Sequence, residues 1–209
     1  MLLVDISGSE FFGTNKKLKR DVITEIAATL SFSAMQNNDK VGVILFTDQL
    51  ELYIPPKKGK FHILRIIREL LEFKATSSKT SINTALEFLL GVLKKKAIVF
   101  LLSDFIDNNY EKTLQIAIKK HDFTGIRIYD KIEASFPNIG MVPIIDNESK
   151  KINWINTSLN SVRNNYKKNY EKLVSNFKEI FKKNGGGVID CCVDESYVKK
   201  LLGYFKARI

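Results

Sequence analysis

Leu2-Leu3-Val4-Asp5-Ile6-Ser7-Gly8-Ser9 opens the chain. The apolar run reads as a buried strand. A carboxylate stands where that strand ends, two hydroxyls follow at alternate positions, and the chain turns out at Gly8. Alternate spacing brings Asp5, Ser7 and Ser9 to one point if the loop curls. One carboxylate and two hydroxyls make an all-oxygen half-cage, which suits a hard divalent cation such as Mg²⁺. The same letters also read as a strand-end aspartate followed by a Ser-Gly turn.

A second apolar run, Lys96-Ala97-Ile98-Val99-Phe100-Leu101-Leu102-Ser103-Asp104, again ends on a carboxylate. Between the two lies Thr80-Ser81-Ile82-Asn83-Thr84-Ala85-Leu86, where hydroxyls open an apolar helix. In a doubly wound sheet of strand order 3-2-1-4-5-6, strands 1 and 4 are neighbours where the order reverses, and ligands bind outside the carboxyl ends there. With Val4 on strand 1 and Leu102 on strand 4, Asp5 and Asp104 emerge side by side. Thr80, just before the helix, reaches the same end.

These residues resemble the metal-ion-dependent adhesion site of von Willebrand factor type A domains: Asp5, Ser7, Ser9, Thr80 and Asp104 match its five positions. The chain is most similar to the bacterial branch often encoded beside MoxR-type AAA+ ATPases and long labelled a domain of unknown function. Its signatures recur in order: Asn38-Asp39-Lys40-Val41-Gly42-Val43-Ile44-Leu45-Phe46, Ile54-Pro55-Pro56-Lys57-Lys58-Gly59, Ser103-Asp104-Phe105, His121-Asp122 and the C-terminal Tyr204-Phe205-Lys206-Ala207-Arg208. The resemblance implies Mg²⁺ or Mn²⁺ held by the five residues, with one coordination position left for an acidic side chain of a protein partner. A MoxR-type ATPase is the partner it implies.

The chain departs from the pattern in three places. Glu10 follows the motif where Met is usual, Ser77-Ser78-Lys79 replace a Gly-bearing loop, and the chain opens directly on strand 1. The last departure leads us to expect that an N-terminal region of a longer protein is missing. Glu10, Lys79 and Phe105 flank the site and are the candidate partner-binding residues. Two other readings stay open. An Mg²⁺-dependent phosphohydrolase would use Asp5 as nucleophile, but needs a second carboxylate where Ser7 stands. A scaffold with an empty remnant site would follow if Lys79 repels the cation. The binding-module reading is not enzymatic: no base adjoins Ser7 or Ser9 in sequence. On that reading Asp104→Ala loses the partner with little change in stability.

At 209 residues and 44% apolar content the chain suits one α/β domain spanning 1–209. No apolar run approaches the ~18 residues that span a bilayer, and no stretch of the given sequence reads as a signal peptide. Cys191 and Cys192 are adjacent on an apolar run, so they face opposite ways and read as buried free thiols. Together these lead to the expectation of a cytoplasmic protein, and the resemblance implies a bacterial one. The net charge is +10. Much of it lies in the stretch from Leu159 to Asn184, with seven basic residues against Glu171 and Glu179. Apolar residues recur there at helical spacing, so it reads as one long helix with a solvated basic face. No nucleic-acid signature accompanies the charge. Reversing Lys167, Lys168 and Lys172 is therefore expected to matter less to partner binding than losing Asp104.

The remaining pattern predicts strands at Leu2–Ile6, Val41–Thr47, Leu50–Ile54, Ala97–Ser103, Gly125–Tyr129 and Val188–Val193. It predicts helices over Asn15–Gln36, Phe61–Phe73, Ser81–Leu93, Tyr110–Lys120 and Ser196–Phe205. Pro55-Pro56 is expected to end the third strand. Met141–Ile145 and Lys151–Ile155 read as a β-hairpin insertion near 140–156. The whole is a single doubly wound, mostly parallel sheet with helices on both faces, Rossmann-type and von Willebrand factor A-like. Trp154 is expected to pack within the hairpin, and His121 to cap a helix end.

Overall fold

The two apolar runs that end on carboxylates become neighbouring strands. The structure is a computed structural model and describes residues 1–8, 18–135, 137–145 and 152–208. Strand β1 (Leu2–Asp5) lies between β2 (Val41–Phe46) and β4 (Ile98–Ser103), parallel to both. Val4 stands opposite Leu45 on one side and Leu102 on the other. With β3 (Leu50–Lys57), β5 (Asp122–Tyr129) and β8 (Gly187–Cys192) the order is β3-β2-β1-β4-β5-β8. Only β3 runs antiparallel. This is the order expected from sequence, with the chain reversing direction of growth between β1 and β4.

Alternation along each strand feeds two cores. Leu2, Val4 and Leu102 pack with Ile26 of α1 (Lys19–Gln36), Ile66 of α2 (Lys60–Glu72) and Leu201 of α7 (Tyr197–Lys206). Leu3, Val99 and Leu101 pack with Leu86 of α3 (Ile82–Val92), Leu114 of α4 (Glu111–Lys120) and Phe177 of α6 (Asn160–Asn184). The apolar faces read from periodicity are therefore the buried ones. Ser81 caps α3, its side chain accepting from the Thr84 N–H. On α6, Lys167 and Lys183 are exposed and pair with Glu171 and Glu179 one turn away, the solvated face expected. Cys191 and Cys192 are buried and free.

Three expectations need correction. Helix α1 starts at Lys19, not Asn15, and positions 15–17 lie outside the described residues. Pro55-Pro56 does not end β3, which continues to Lys57 through a register shift opposite Val41–Val43. An edge strand has no outer ladder for proline to break, and a bulge absorbs it. Trp154 does not pack: in the hairpin of β6 (Met141–Ile145) and β7 (Ile152–Asn156) it is 65% exposed, opposite Pro143. His121 is the C-cap of α4 as expected, through its backbone N–H to the Ala117 carbonyl at 2.9 Å rather than through its ring. It is buried, and neither ring nitrogen has a partner among the described residues. Burial pushes its imidazole below the usual value, with Lys120 adding to the effect.

Gly125 on β5 is required by contact rather than by backbone angle. A Cβ there would lie 2.6 Å from the Phe181 ring and 3.0 Å from that of Phe105. Both rings are buried in the α6 core. Gly125→Ala is expected to cost about 1–3 kcal/mol through overpacking, seen as a lower urea midpoint. An unchanged midpoint would show that the rings shift freely.

Candidate functional site

Asp5 ends β1 and Asp104 follows β4, so adjacent parallel strands deliver both carboxylates to the carboxyl end of the sheet at its switch point. Both are buried. One Asp5 oxygen accepts the Ser7 N–H at 3.0 Å, and the other accepts the Ser103 hydroxyl at 2.7 Å. The Ser103 oxygen in turn accepts the Phe105 N–H at 3.1 Å. This is possible because Phe105 adopts a left-handed φ of 60°, which folds the loop back over the strand end. The same bend lets Asp104 Oδ1 accept the Ile106 N–H at 3.0 Å.

Ser7 is buried beside Asp5, and the Gly8 N–H donates to the Ser78 carbonyl at 3.0 Å. The Ser81 N–H donates to the Thr47 carbonyl at 2.9 Å, just beyond the end of β2. These two bonds hold the segment carrying half-buried Thr80 at the same end of the sheet. Asp5, Ser7, Thr80 and Asp104 thus stand at one end of the sheet. Ser9 and Glu10 lie outside the described residues. Lys79 is exposed. Phe105, expected to meet a partner, does not: it is buried and stacked on Phe177 with ring centroids 4.0 Å apart. Its apolar ring finds a core because the left-handed turn points the loop inward.

Three side chains join the site that the sequence reading did not include. Ser103 is one. The second is Lys19, the first residue of α1, which has no exposed surface. Its ammonium lies 3.0 Å from Asp104 Oδ2 and 2.7 Å from Glu133 Oε1. The third, Glu133, lies in the short helix α5 (Lys131–Ala134), where its other oxygen accepts the Asp130 N–H. Asp107 and Asp130 each give an oxygen to a helix N-terminus, at Ile82 and Ile132, and Asp107 also lies in the field of Asp104.

Electrostatics make the arrangement costly as it stands. Among the described residues, three carboxylates at this end, Asp5, Asp104 and Glu133, meet the one buried ammonium of Lys19. Burial, and then the Asp104 charge, push the Asp5 carboxyl up to about 6. Burial also raises Glu133, against the pull of Lys19. The donor set offered to a ligand is all oxygen: two carboxylates and hydroxyls. Among the described residues no three His, Cys, Asp or Glu side chains are grouped to hold a metal ion.

A cleft of about 810 Å³ opens at the opposite end of the sheet, lined by Lys40, Lys96, Ile98 and Asp122. Its lining also includes Ser31, Asp39 and the buried His121. Size alone does not make it the site.

Comparison with known proteins agrees with the architecture. Two structures share the fold over nearly the whole chain. An aerotolerance-related membrane protein from Bacteroides fragilis has a TM-score of 0.66 at 13% identity, covering 99% of this chain and 97% of its own. A conserved hypothetical protein, BatB, from Bacteroides thetaiotaomicron has 0.63 at 13%, covering 99% and 95%. Among the described residues here, no helix is long and apolar enough to cross a membrane. Uncharacterised proteins of Mycobacterium tuberculosis and Mycobacterium bovis are 23% identical over 151 residues, 71% of this chain and 48% of theirs. The chain spans about half the length of the curated relatives it matches. Residues 1–174 match the family described as "Protein of unknown function DUF58", and the chain belongs to that family.

Proposed function

We propose that this chain is a von Willebrand factor A-like module that holds Mg²⁺ or Mn²⁺ at Asp5, Ser7, Ser9, Thr80 and Asp104. The observation that carries the reading is the excess of buried carboxylates over ammonium, among the described residues, at a strand-end cluster of oxygen donors. A divalent ion neutralises that excess, and hard oxygen donors suit Mg²⁺ and Mn²⁺. When bound, the ion supplies a Lewis-acid point at which an acidic side chain of a protein partner can dock. The role proposed is metal-assisted protein binding, with a MoxR-type AAA+ ATPase as the first partner to test and assembly or maturation of a complex as the setting.

Lys19 favours a second reading. Its ammonium already supplies a cation to Asp104, so the fold also suits a metal-free scaffold with Lys19 as permanent counter-ion. Affinity capture separates the two. The wild type and Asp5→Ala are each presented to a MoxR-type ATPase with Mg²⁺ and with chelator. Metal-assisted binding predicts retention by wild type with Mg²⁺ alone. Retention unaffected by chelator and by Asp5→Ala would favour the scaffold.

A further inference from the structure

Helix α2 carries two apolar stripes. Ile63, Ile66 and Leu70 face the core and are buried. Phe61, Leu64 and Leu71 are spaced to share the outer side, with Arg68 between the leucines. These side chains meet solvent. Phe61 is 88% exposed, more than any other large apolar residue described, and Leu71 is 62% exposed. They form a row along one face rather than single scattered residues.

Cations surround the row. Lys57, Lys58 and Lys60 stand at its leading end, Arg65 and Arg68 lie along the helix, and Lys74 follows it, against Glu69 and Glu72. All six cations are exposed, and only Arg68 has a carboxylate partner among the described residues, Glu72 at 3.7 Å. The lysines at the leading end do not help the helix. It starts at Lys60 after Gly59, with no acidic residue in its first turn and no side chain capping it. The positive end of a helix dipole disfavours ammonium groups and attracts anions, phosphate among them. The fold gains nothing from cations there, whereas an anion from outside does.

We propose that α2 is a peripheral docking face for an anionic lipid surface. Phe61, Leu64 and Leu71 enter the apolar layer, and the lysines and arginines around them meet lipid phosphates. A bilayer sets anionic phosphates beside an apolar layer, which matches cations placed around an apolar row. Nucleic acid offers the phosphates without an apolar layer for the two leucines. At 13 residues, and held to the core by its inner stripe, α2 lies on the surface and does not span it.

Co-sedimentation tests this with vesicles of phosphatidylcholine and vesicles of phosphatidylcholine mixed with phosphatidylglycerol. Wild type is expected to bind the anionic vesicles about tenfold or more tightly than the neutral ones. Phe61→Ser should weaken that binding by about tenfold. Changing Lys57, Lys58 and Lys60 together to Gln should weaken it by about as much or more. All four residues are exposed, so neither variant should melt below wild type. Changing Lys167, Lys168 and Lys172 of α6 to Gln removes the same charge elsewhere and should leave binding within about threefold of wild type. Wild type that binds no anionic vesicles would overturn the proposal. So would equal losses from the α2 and α6 lysines, which would reduce binding to the general attraction of a chain of net charge +10. Binding to polyglutamate or single-stranded DNA that needs the α2 lysines, with none to vesicles, would overturn it in favour of a polyanionic partner.

Discussion

Asp104→Ala is expected to destabilise the metal-free protein by about 2–3 kcal/mol. Sequence alone led to the opposite expectation, that this substitution would spare stability. The difference lies in what Asp104 holds. Its carboxylate pairs with a lysine that has no exposed surface, and it accepts the Ile106 N–H that fixes the loop after β4. Removing it breaks the Asp104 half of the Lys19 ion pairing and strands the Ile106 backbone donor. The cost stays below the upper end seen for broken buried pairs because repulsion on Asp5 is relieved at the same time. For a chain of this size the melting temperature should fall by roughly 4–12 °C. Asp104→Asn, which retains an oxygen for Ile106, should lose less. A melting temperature unchanged in Asp104→Ala would mean that the Lys19 ion pair contributes nothing to the fold.

The second large effect concerns Asp5. Its folded carboxyl titrates at about 6, above the ordinary 3.8, because burial and Asp104 disfavour the charge. The folded protein therefore binds more protons than the unfolded chain between those values, and stability falls as pH rises across them. The proton's contribution is present in full below 3.8 and is lost as pH passes through about 6. At pH 7 without metal, Asp5→Asn should be more stable than wild type by about 2–3 kcal/mol, since Asn needs no proton to be neutral. It can still accept the Ser7 N–H. The advantage should shrink to near zero at pH 4. Urea midpoints from pH 4 to 8 measure it, and parallel curves for the two proteins would contradict it. Mg²⁺ should close this gap at pH 7. A ligand at one hundred times its dissociation constant adds about 2.7 kcal/mol to the wild type, and Asp5→Asn should gain little.

The contrast between these residues and Lys19 shows what the sequence could reveal. Asp5 and Asp104 were legible because each ends an apolar run, and in a doubly wound sheet such runs place their last residues at one edge. The hydroxyls of Ser7 and Thr80 followed from spacing and from the helix that begins after Thr80. Lys19 was hidden by composition. It lies in Lys16-Lys17-Leu18-Lys19-Arg20, which looks solvated. Yet it shares the stripe of Val22, Ile23 and Ile26, the buried face of α1. A lysine on that stripe was a signal that a buried carboxylate waits for it. Glu133 carried no such signal, because a four-residue helix has too little periodicity to mark an inward face. Phe105 misled for a different reason. An apolar residue after a strand-end aspartate looks exposed, and only its left-handed backbone turns it onto Phe177. Trp154 shows the converse. Aromatic residues in a hairpin usually find a partner face, whereas this one stays open to solvent.

The most direct measurement is calorimetric titration of Mg²⁺ into the metal-free wild type at pH 7, with Asp5→Asn beside it. The account predicts saturable binding of one ion by wild type, raising its melting temperature, and no such binding by Asp5→Asn. A folded wild type that takes up no Mg²⁺ and melts at the same temperature with and without it would contradict the cation site at Asp5 and Asp104.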